Sequence, residues 1–354
     1  MAPTVALLLT PLLCRVSGAL MRRLAAPFSV YLLIALLATV MTRGGLGRVY
    51  EPLAFEMIDA MAAANGQFSY GQSVVTQMYL YFKYLFLWIV PNTGWMSVDM
   101  REPLATTWRA WPYALTALLF LMYPIAAFVM VMRRGRMGIA GWILAVPWLL
   151  FATELSTVRV QEPFVLYRTY LWFPLLGAIV PLLAYRINTK VVVTLAVPLL
   201  CALMILSSNR LNTFSDALLL WEDAAKLLVT GSEPGAGRIY YNRALALAAK
   251  GRKEEALVDL DRAVLLHPKL GPIYFARAQI RFDLKRFPEA MQDLDVSILS
   301  DPNNSSLYTA RAMTLQRLGH LDEARNEFRK SCDMKDVIGC YALNLTTKGS
   351  VAKP

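Results

Sequence analysis

Two sets of side chains in this chain have the types and spacing to do chemistry. The first is a run of acids, arginines and tyrosines in short polar segments: Ser97, Asp99, Arg101 and Glu102, then Glu154, Arg159, Gln161, Glu162, Tyr167, Arg168 and Tyr170. An arginine beside tyrosine hydroxyls can hold a phosphate by two parallel charge-assisted hydrogen bonds. The same residues also fit ordinary loop charges with an aromatic belt. The second set recurs at a spacing of 34: Arg243, Arg277 and Arg311. Three guanidiniums at one repeat position could form a basic ladder for an acidic peptide, with Asn242 bonding its backbone. The alternative, favoured by ordinary repeat packing, is structural: pairing with acids such as Asp259 and Asp293 on second helices. His267 and His320 are the only histidines and read as loop residues, so neither a metal nor a cofactor is expected. Cys332 and Cys340 flank a helix–turn, and Cys14 and Cys201 sit in apolar runs as packing residues.

The elements that position these groups are of two kinds. Apolar runs occupy about 1–14, 27–42, 73–91, 112–132, 139–153, 170–185 and 191–208. Such density exceeds what a soluble core of this size can bury, so residues 1–208 are expected to form a polytopic transmembrane bundle. The loops at 15–26, 133–138 and 186–190 are basic and without acids, which places them in the cytoplasm. The loops at 43–72, 92–111 and 154–169 mix both signs and belong outside. Seven crossings break that alternation. Six crossings plus an interfacial or re-entrant helix at 73–91 restore it, since that run carries Gln77, Lys83 and the headgroup-seeking Tyr79, Tyr81, Tyr84 and Trp88. The last crossing then exits on the external face. Met1–Leu13 lacks a basic start and a cleavage site and is read as retained.

Composition agrees with this division. The 354 residues are 56% hydrophobic and 17% charged, with a net charge of +11 spread through short loops rather than gathered in a patch. That spread argues for membrane topology and against a nucleic-acid partner. Residues 209–236 connect the halves, with an amphipathic helix over Asn212–Val229 and a break at Thr230–Gly237. Beyond it, Tyr240, Tyr274 and Tyr308 recur at 34, as do Ala256, Ala290 and Ala324, and Pro268 and Pro302. This is the tetratricopeptide signature of paired antiparallel helices. Three repeats are expected over 237–335, then a capping helix and tail over 336–354. The expected fold class is all-α: a membrane bundle followed by an α-solenoid that binds a protein or peptide.

Two resemblances add to this reading. Lys330-Ser-Cys-Asp-Met-Lys-Asp-Val-Ile-Gly-Cys-Tyr341 resembles the cysteine-paired Sel1-like repeats, which implies a disulfide between Cys332 and Cys340 and an oxidising compartment. The chain as a whole resembles the C-terminal portion of membrane O-mannosyltransferases with lumenal tetratricopeptide repeats and of their bacterial relatives, which have the GT-C glycosyltransferase fold. The match lies in Tyr79-Leu-Tyr-Phe-Lys-Tyr-Leu through Trp95-Met-Ser-Val-Asp99, in Tyr167-Arg-Thr-Tyr-Leu-Trp-Phe-Pro174, and in Asn209-Arg210 through Leu220-Trp221-Glu222-Asp223. It implies sugar transfer from a polyprenyl-phosphate carrier to a protein or glycan, with Arg168 on the lipid phosphate, Tyr170 beside it, and the repeats outside the cytoplasm, in the periplasm of a bacterial inner-membrane protein. Leu166 and Tyr167 replace the acid that precedes the family's Arg motif. The family's catalytic acid lies in an N-terminal membrane half that this chain is expected to lack, so no catalytic residue is assigned. The competing expectation is a membrane-anchored scaffold without catalysis.

Overall fold

A computed structural model describes residues 70–105, 107, 109–133, 135–151, 154–155, 173–184 and 187–351. The runs expected at 1–14 and 27–42, Arg168, Tyr170 and most of the segment 154–169 lie outside the described residues. The regular elements among the described residues are helices, with no β-strand. They divide into two compact units, one through Asn212 with Glu233–Gly235, the other Thr213–Ser232 with Ala236 onward.

The first unit contains α1 (Tyr70–Ile89), α2 (Tyr113–Met132), α3 (Gly135–Phe151), α4 (Ile179–Ala184) and most of α5 (Thr189–Ser215). Residues Ser73, Thr76, Gln77, Leu80, Tyr81, Tyr84 and Leu87 make a buried stripe along α1 at helical spacing. Tyr81 stands edge-on to Phe120, Tyr123 and Phe151, at 5.1–5.6 Å between centroids. Two of the tyrosines expected at a headgroup boundary, Tyr81 and Tyr84, are therefore core residues packed on other helices. The segment after α1 folds back on it. Ala105 donates its N–H to the Thr76 hydroxyl at 2.9 Å, and Lys83 pairs with Glu102. Asp99 and Arg101 form a buried ion pair at 2.7 Å.

α2 and α3 form a tight hairpin because Gly141 allows it. A Cβ there would stand 2.7 Å from the Ala127 carbonyl oxygen and 2.6 Å from the Val131 nitrogen. Pro124 lies inside α2, so the Phe120 carbonyl has no N–H four residues on. Trp148 of α3 supplies the missing donor, its indole N–H reaching Phe120 O at 3.0 Å. Helices α2 and α5 are long and apolar enough to cross a membrane; α3 is apolar but shorter.

The second unit begins at Thr213, in the last turn of α5. The helix expected at Asn212–Val229 is instead split at Asp216. α5 runs on to Ser215, and α6 spans Ala217–Lys226. Asp216 is extended (φ −128°, ψ 125°), and its carboxylate accepts the Leu218 and Leu219 N–H groups at 2.8 and 3.3 Å. That is an N-cap, and it restarts the helix.

Three helix pairs follow: α7 (Ala236–Ala249) with α8 (Lys253–Leu266), α9 (Gly271–Asp283) with α10 (Phe287–Ser300), and α11 (Ser305–Leu318) with α12 (Leu321–Asp333). Each first helix ends in the same turn, with residue 251, 285 or 319 at positive φ (80°, 61°, 90°). The next N–H closes onto a carbonyl five residues back: Arg252 to Leu247, Arg286 to Arg281, His320 to Leu315. Glycine fills this left-handed place twice; Lys285 fills it once. Ala256, Ala290 and Ala324 are buried where the second helices cross the first, so a larger side chain would separate the pair. The recurring Tyr and Pro have a common cause. Tyr274 donates its hydroxyl to Pro268 O at 3.0 Å, and Tyr308 donates to Pro302 O at 2.9 Å. Each bond ties a first helix to the end of the preceding repeat.

α13 (Val337–Val351) closes the array. It lays Ala342 and Leu343 over Leu315 and Phe328, as a capping helix should. Its far side remains apolar, with Val337, Ile338 and Tyr341 more than half exposed.

Candidate functional site

The arginines at the 34-residue spacing are held by acids. Arg243 makes two bonds to Asp259, both 2.6 Å. Arg277 makes the same two to Asp293, at 3.0 and 2.6 Å, and reaches Asp261 of the preceding repeat at 2.7 Å. Arg281 adds a second cation to Asp293, and a third bond, at 2.7 Å. Arg311 contacts Glu327 and the preceding repeat's Asp295, both at 3.4 Å. Donating to the Asp259 carboxylate raises the Arg243 pKa above its ordinary value. Each arginine thus pins the two helices of its own repeat, and the second and third also bind the repeat before. Asn242 donates its amide to Arg238 O within α7 at 2.9 Å. Of the alternatives open in the sequence, the geometry places these guanidiniums in ion pairs between helices. Each of the three guanidiniums is thus already engaged with at least one carboxylate.

The array also carries a cleft which the repeat period alone did not single out. It lies between α9 and α11 and has a volume of about 390 Å³. Gln279, Phe282 and Asp283 line it from α9, and Ala310, Met313 and Thr314 from α11. The signal in the sequence was weak: Phe282 and Met313 read as ordinary core residues, and both do pack against the clusters around Ala290 and Ala324 while also lining the cleft. A second cavity, of about 260 Å³, is lined by Glu222, Glu255 and Asp259 against Arg243, Arg252 and Arg262. Its charges balance, and Arg252 is already engaged with Glu255 at 2.6 Å and Glu222 at 3.7 Å.

The C-terminal end is built differently. Cys332 and Cys340 form a disulfide that joins α12 to α13, with Cα atoms 4.5 Å apart. Next to it, Thr309 donates to Asp336 at 2.7 Å, and the Ser331 hydroxyl lies within hydrogen-bond reach of the Thr309 hydroxyl at 2.6 Å and of Asp336 at 3.2 Å. Burial favours the neutral carboxyl of Asp336. The bonds from Thr309, Ser331 and the backbone N–H groups of Ile338 and Gly339 outweigh that and bring its pKa below the usual value.

Residues 237–270 and 305–336 match the family described as tetratricopeptide repeat, and these segments carry such repeats. The chain is also similar to several solved structures over about a third of its length. One is described as the first TPR of Spaghetti (RPAP3) bound to HSP90 peptide SRMEEVD; it has 16% identity and a TM-score of 0.32, covering 33% of this chain and 94% of that one. The Arabidopsis OM64 TPR domain has 22% identity and a TM-score of 0.31, covering 32% and 95%. MamA has 19% identity and a TM-score of 0.31, covering 33% and 66%. No curated protein matches the chain.

Proposed function

We propose that this chain is a membrane-anchored interaction protein whose tetratricopeptide repeats hold a segment of a partner protein outside the cytoplasm. The observation that carries the reading is the cleft between α9 and α11, open on the first-helix face and in the size range of ligand sites, roughly 300–1,000 Å³. Membrane anchoring draws support from α2 and α5, which have the length and apolarity of spans. The alternation of basic and mixed loops supports a polytopic arrangement with the repeats outside, in the periplasm if the membrane is a bacterial inner one. Benzoyl-phenylalanine placed at Gln279 and, separately, at Leu265 of α8 tests the interaction reading in cells. A defined crosslinked partner from position 279 and none from position 265 is the expected result. Equal capture from both, or from neither, refutes it.

We further propose, as the finer reading, that the interaction serves glycosyl transfer from a polyprenyl-phosphate carrier by a GT-C type of protein. Its support is the ordered set of motifs running from Tyr79 to Asp223, in which Arg168 would hold the lipid phosphate and Tyr170 would assist. Transfer to a hydroxyl also requires a base, which nothing in this chain identifies. The partner held by the repeats would then be the acceptor or the subunit that brings the base. Binding of a polyprenyl-phosphate sugar to the purified chain, lost in Arg168→Ala, would support this. Absence of any donor binding would leave the scaffold alone.

A further inference from the structure

We infer that the cleft between α9 and α11 selects an extended peptide by an uncharged apolar side chain with a basic neighbour, and rejects acid-rich peptides. The inference rests on the interaction reading above and specifies its ligand.

Three observations point this way. The apolar part of the lining is Ala278, Phe282 and Leu294 from the second repeat and Ala310 and Met313 from α11. Its only polar groups from neutral residues are the exposed amide of Gln279 and the hydroxyl of Thr314, and the latter already donates to Ala310 O at 2.8 Å. A carboxylate seated here would lose its water without gaining a cation, which is strongly unfavourable. An aliphatic or aromatic side chain loses nothing polar and contributes on the order of 25 cal/mol per Å² of apolar surface covered.

The second observation concerns the cations that could have served an acidic peptide. Arg243, Arg277 and Arg311 are turned to acids of the second helices. Arg317, at the place on α11 that matches Asp283 on α9, is outside the lining. The third is Asp283 itself, the one charged residue in the lining. It is paired with Lys253 at 2.8 Å, but both side chains are well exposed. Exposed pairs of this kind exchange partners at little cost. A lysine or arginine next to the apolar anchor can therefore take Asp283 over.

The ligand is thus a backbone-extended segment presenting Leu, Met, Phe or a similar side chain to the cleft, with a Lys or Arg one or two positions away. Gln279 is placed to bond that segment's backbone.

The test uses the full chain in lipid nanodiscs, with a phage-displayed library of random short peptides as the probe. Empty nanodiscs remove lipid-binding sequences. Selected peptides are then synthesised with a fluorescent label, and affinities are measured by anisotropy. Expected are sequences rich in one apolar residue, poor in Asp and Glu, and carrying a nearby base. Gln279→Trp and Met313→Glu should each weaken their binding about tenfold or more, while Leu265→Glu on the second-helix side should change it less than about twofold. Asp283→Lys should remove the basic residue from newly selected sequences. Helical circular dichroism and melting of each variant separate a lost site from a lost fold. If acid-rich peptides are selected, or if binding is insensitive to Gln279→Trp and Met313→Glu in folded variants, this inference is overturned while the repeats remain peptide binders. If no peptide is selected at all, the interaction reading falls with it.

Discussion

Repeats one and two differ from repeat three in how their helices are held together, although all follow one 34-residue pattern. In the first two, an aspartate on the second helix accepts two bonds from an arginine on the first. In the third the acid is Glu327, one methylene longer, and its contact with Arg311 stretches to 3.4 Å. The Arg311 Nε and one Glu327 oxygen are buried without a hydrogen bond. What repeat three lacks in ion pairing it has in other ties: a disulfide into α13 and the Thr309–Ser331–Asp336 cluster. An internal repeat is packed on both sides, whereas the last depends on its cap. A covalent bond at that end resists the fraying to which terminal helices are prone.

The comparison can be broken most severely at Asp293. Its side chain is almost fully buried and serves both Arg277 and Arg281. Asp293→Ala leaves the mostly buried Arg281 without its acid and Arg277 with the exposed Asp261 alone, and should cost about 3–5 kcal/mol in denaturant unfolding. Glu327→Ala, at the matching place, should cost less than about 1 kcal/mol, because the pair it removes is poorly aligned. Equal losses at the two positions would show that the distances do not reflect how the repeats are held. Between these lies the disulfide. Cys332→Ser, or reduction of the wild-type chain, should cost about 2–3 kcal/mol for so short a loop. Unfolding followed at α13 should show most of that loss, and repeat one almost none. A uniform loss along the array would argue against a locally held end.

Much of the repeat unit was legible because its residues repeat for structural reasons. Tyr274 and Pro268 recur because one bonds the other; Ala256, Ala290 and Ala324 recur because helices cross there. A period in sequence exposes such constraints directly. The arginines recur for a similar reason, but sequence spacing could not say whether they faced a ligand or the acids 16 residues on. Only side-chain direction separates these. The helix break at Asp216 was hidden because apolar residues continue on both sides of it, although an aspartate before Ala-Leu-Leu is an ordinary capping signal. In the first unit, aromatic residues at α1 suggested a boundary with lipid headgroups. A tyrosine suits that boundary and a packed helix junction alike, and Tyr81 and Tyr84 occupy the latter. The cleft between α9 and α11 was least legible, since its lining residues differ from repeat to repeat and leave no mark in the 34-residue period.

Two smaller effects sharpen the contrast between internal and terminal repeats. Lys285 adopts the left-handed conformation that Gly251 and Gly319 supply in the other two turns. Lys285→Gly should relieve the Cβ clash and stabilise the middle repeat by about 0.5–1 kcal/mol, visible as a higher melting temperature. A lower melting temperature would mean that the loss of chain entropy in the folded state outweighs the strain.

The last effect is one of pH. Hydrogen bonds to Asp336 stabilise its charged form despite partial burial, so its pKa in the folded chain lies below that of the unfolded one. A carboxyl lowered on folding contributes stability that is complete above the unfolded value, about 4, and that is lost as pH falls through the folded value. The terminal repeat should therefore loosen in acid, and Asp336→Asn should flatten the pH dependence of α13 unfolding below about pH 4. Asp216 is also lowered, chiefly by its bond from Lys250, and acts at the opposite end of the array. Asp216→Asn keeps an N-cap acceptor but removes the charge, so it should flatten the acid response at α6 and leave α13 unchanged. Hydrogen exchange at both ends, measured on the two variants, distinguishes local titration from a general acid collapse. If either variant flattens both ends together, the two ends are not held independently.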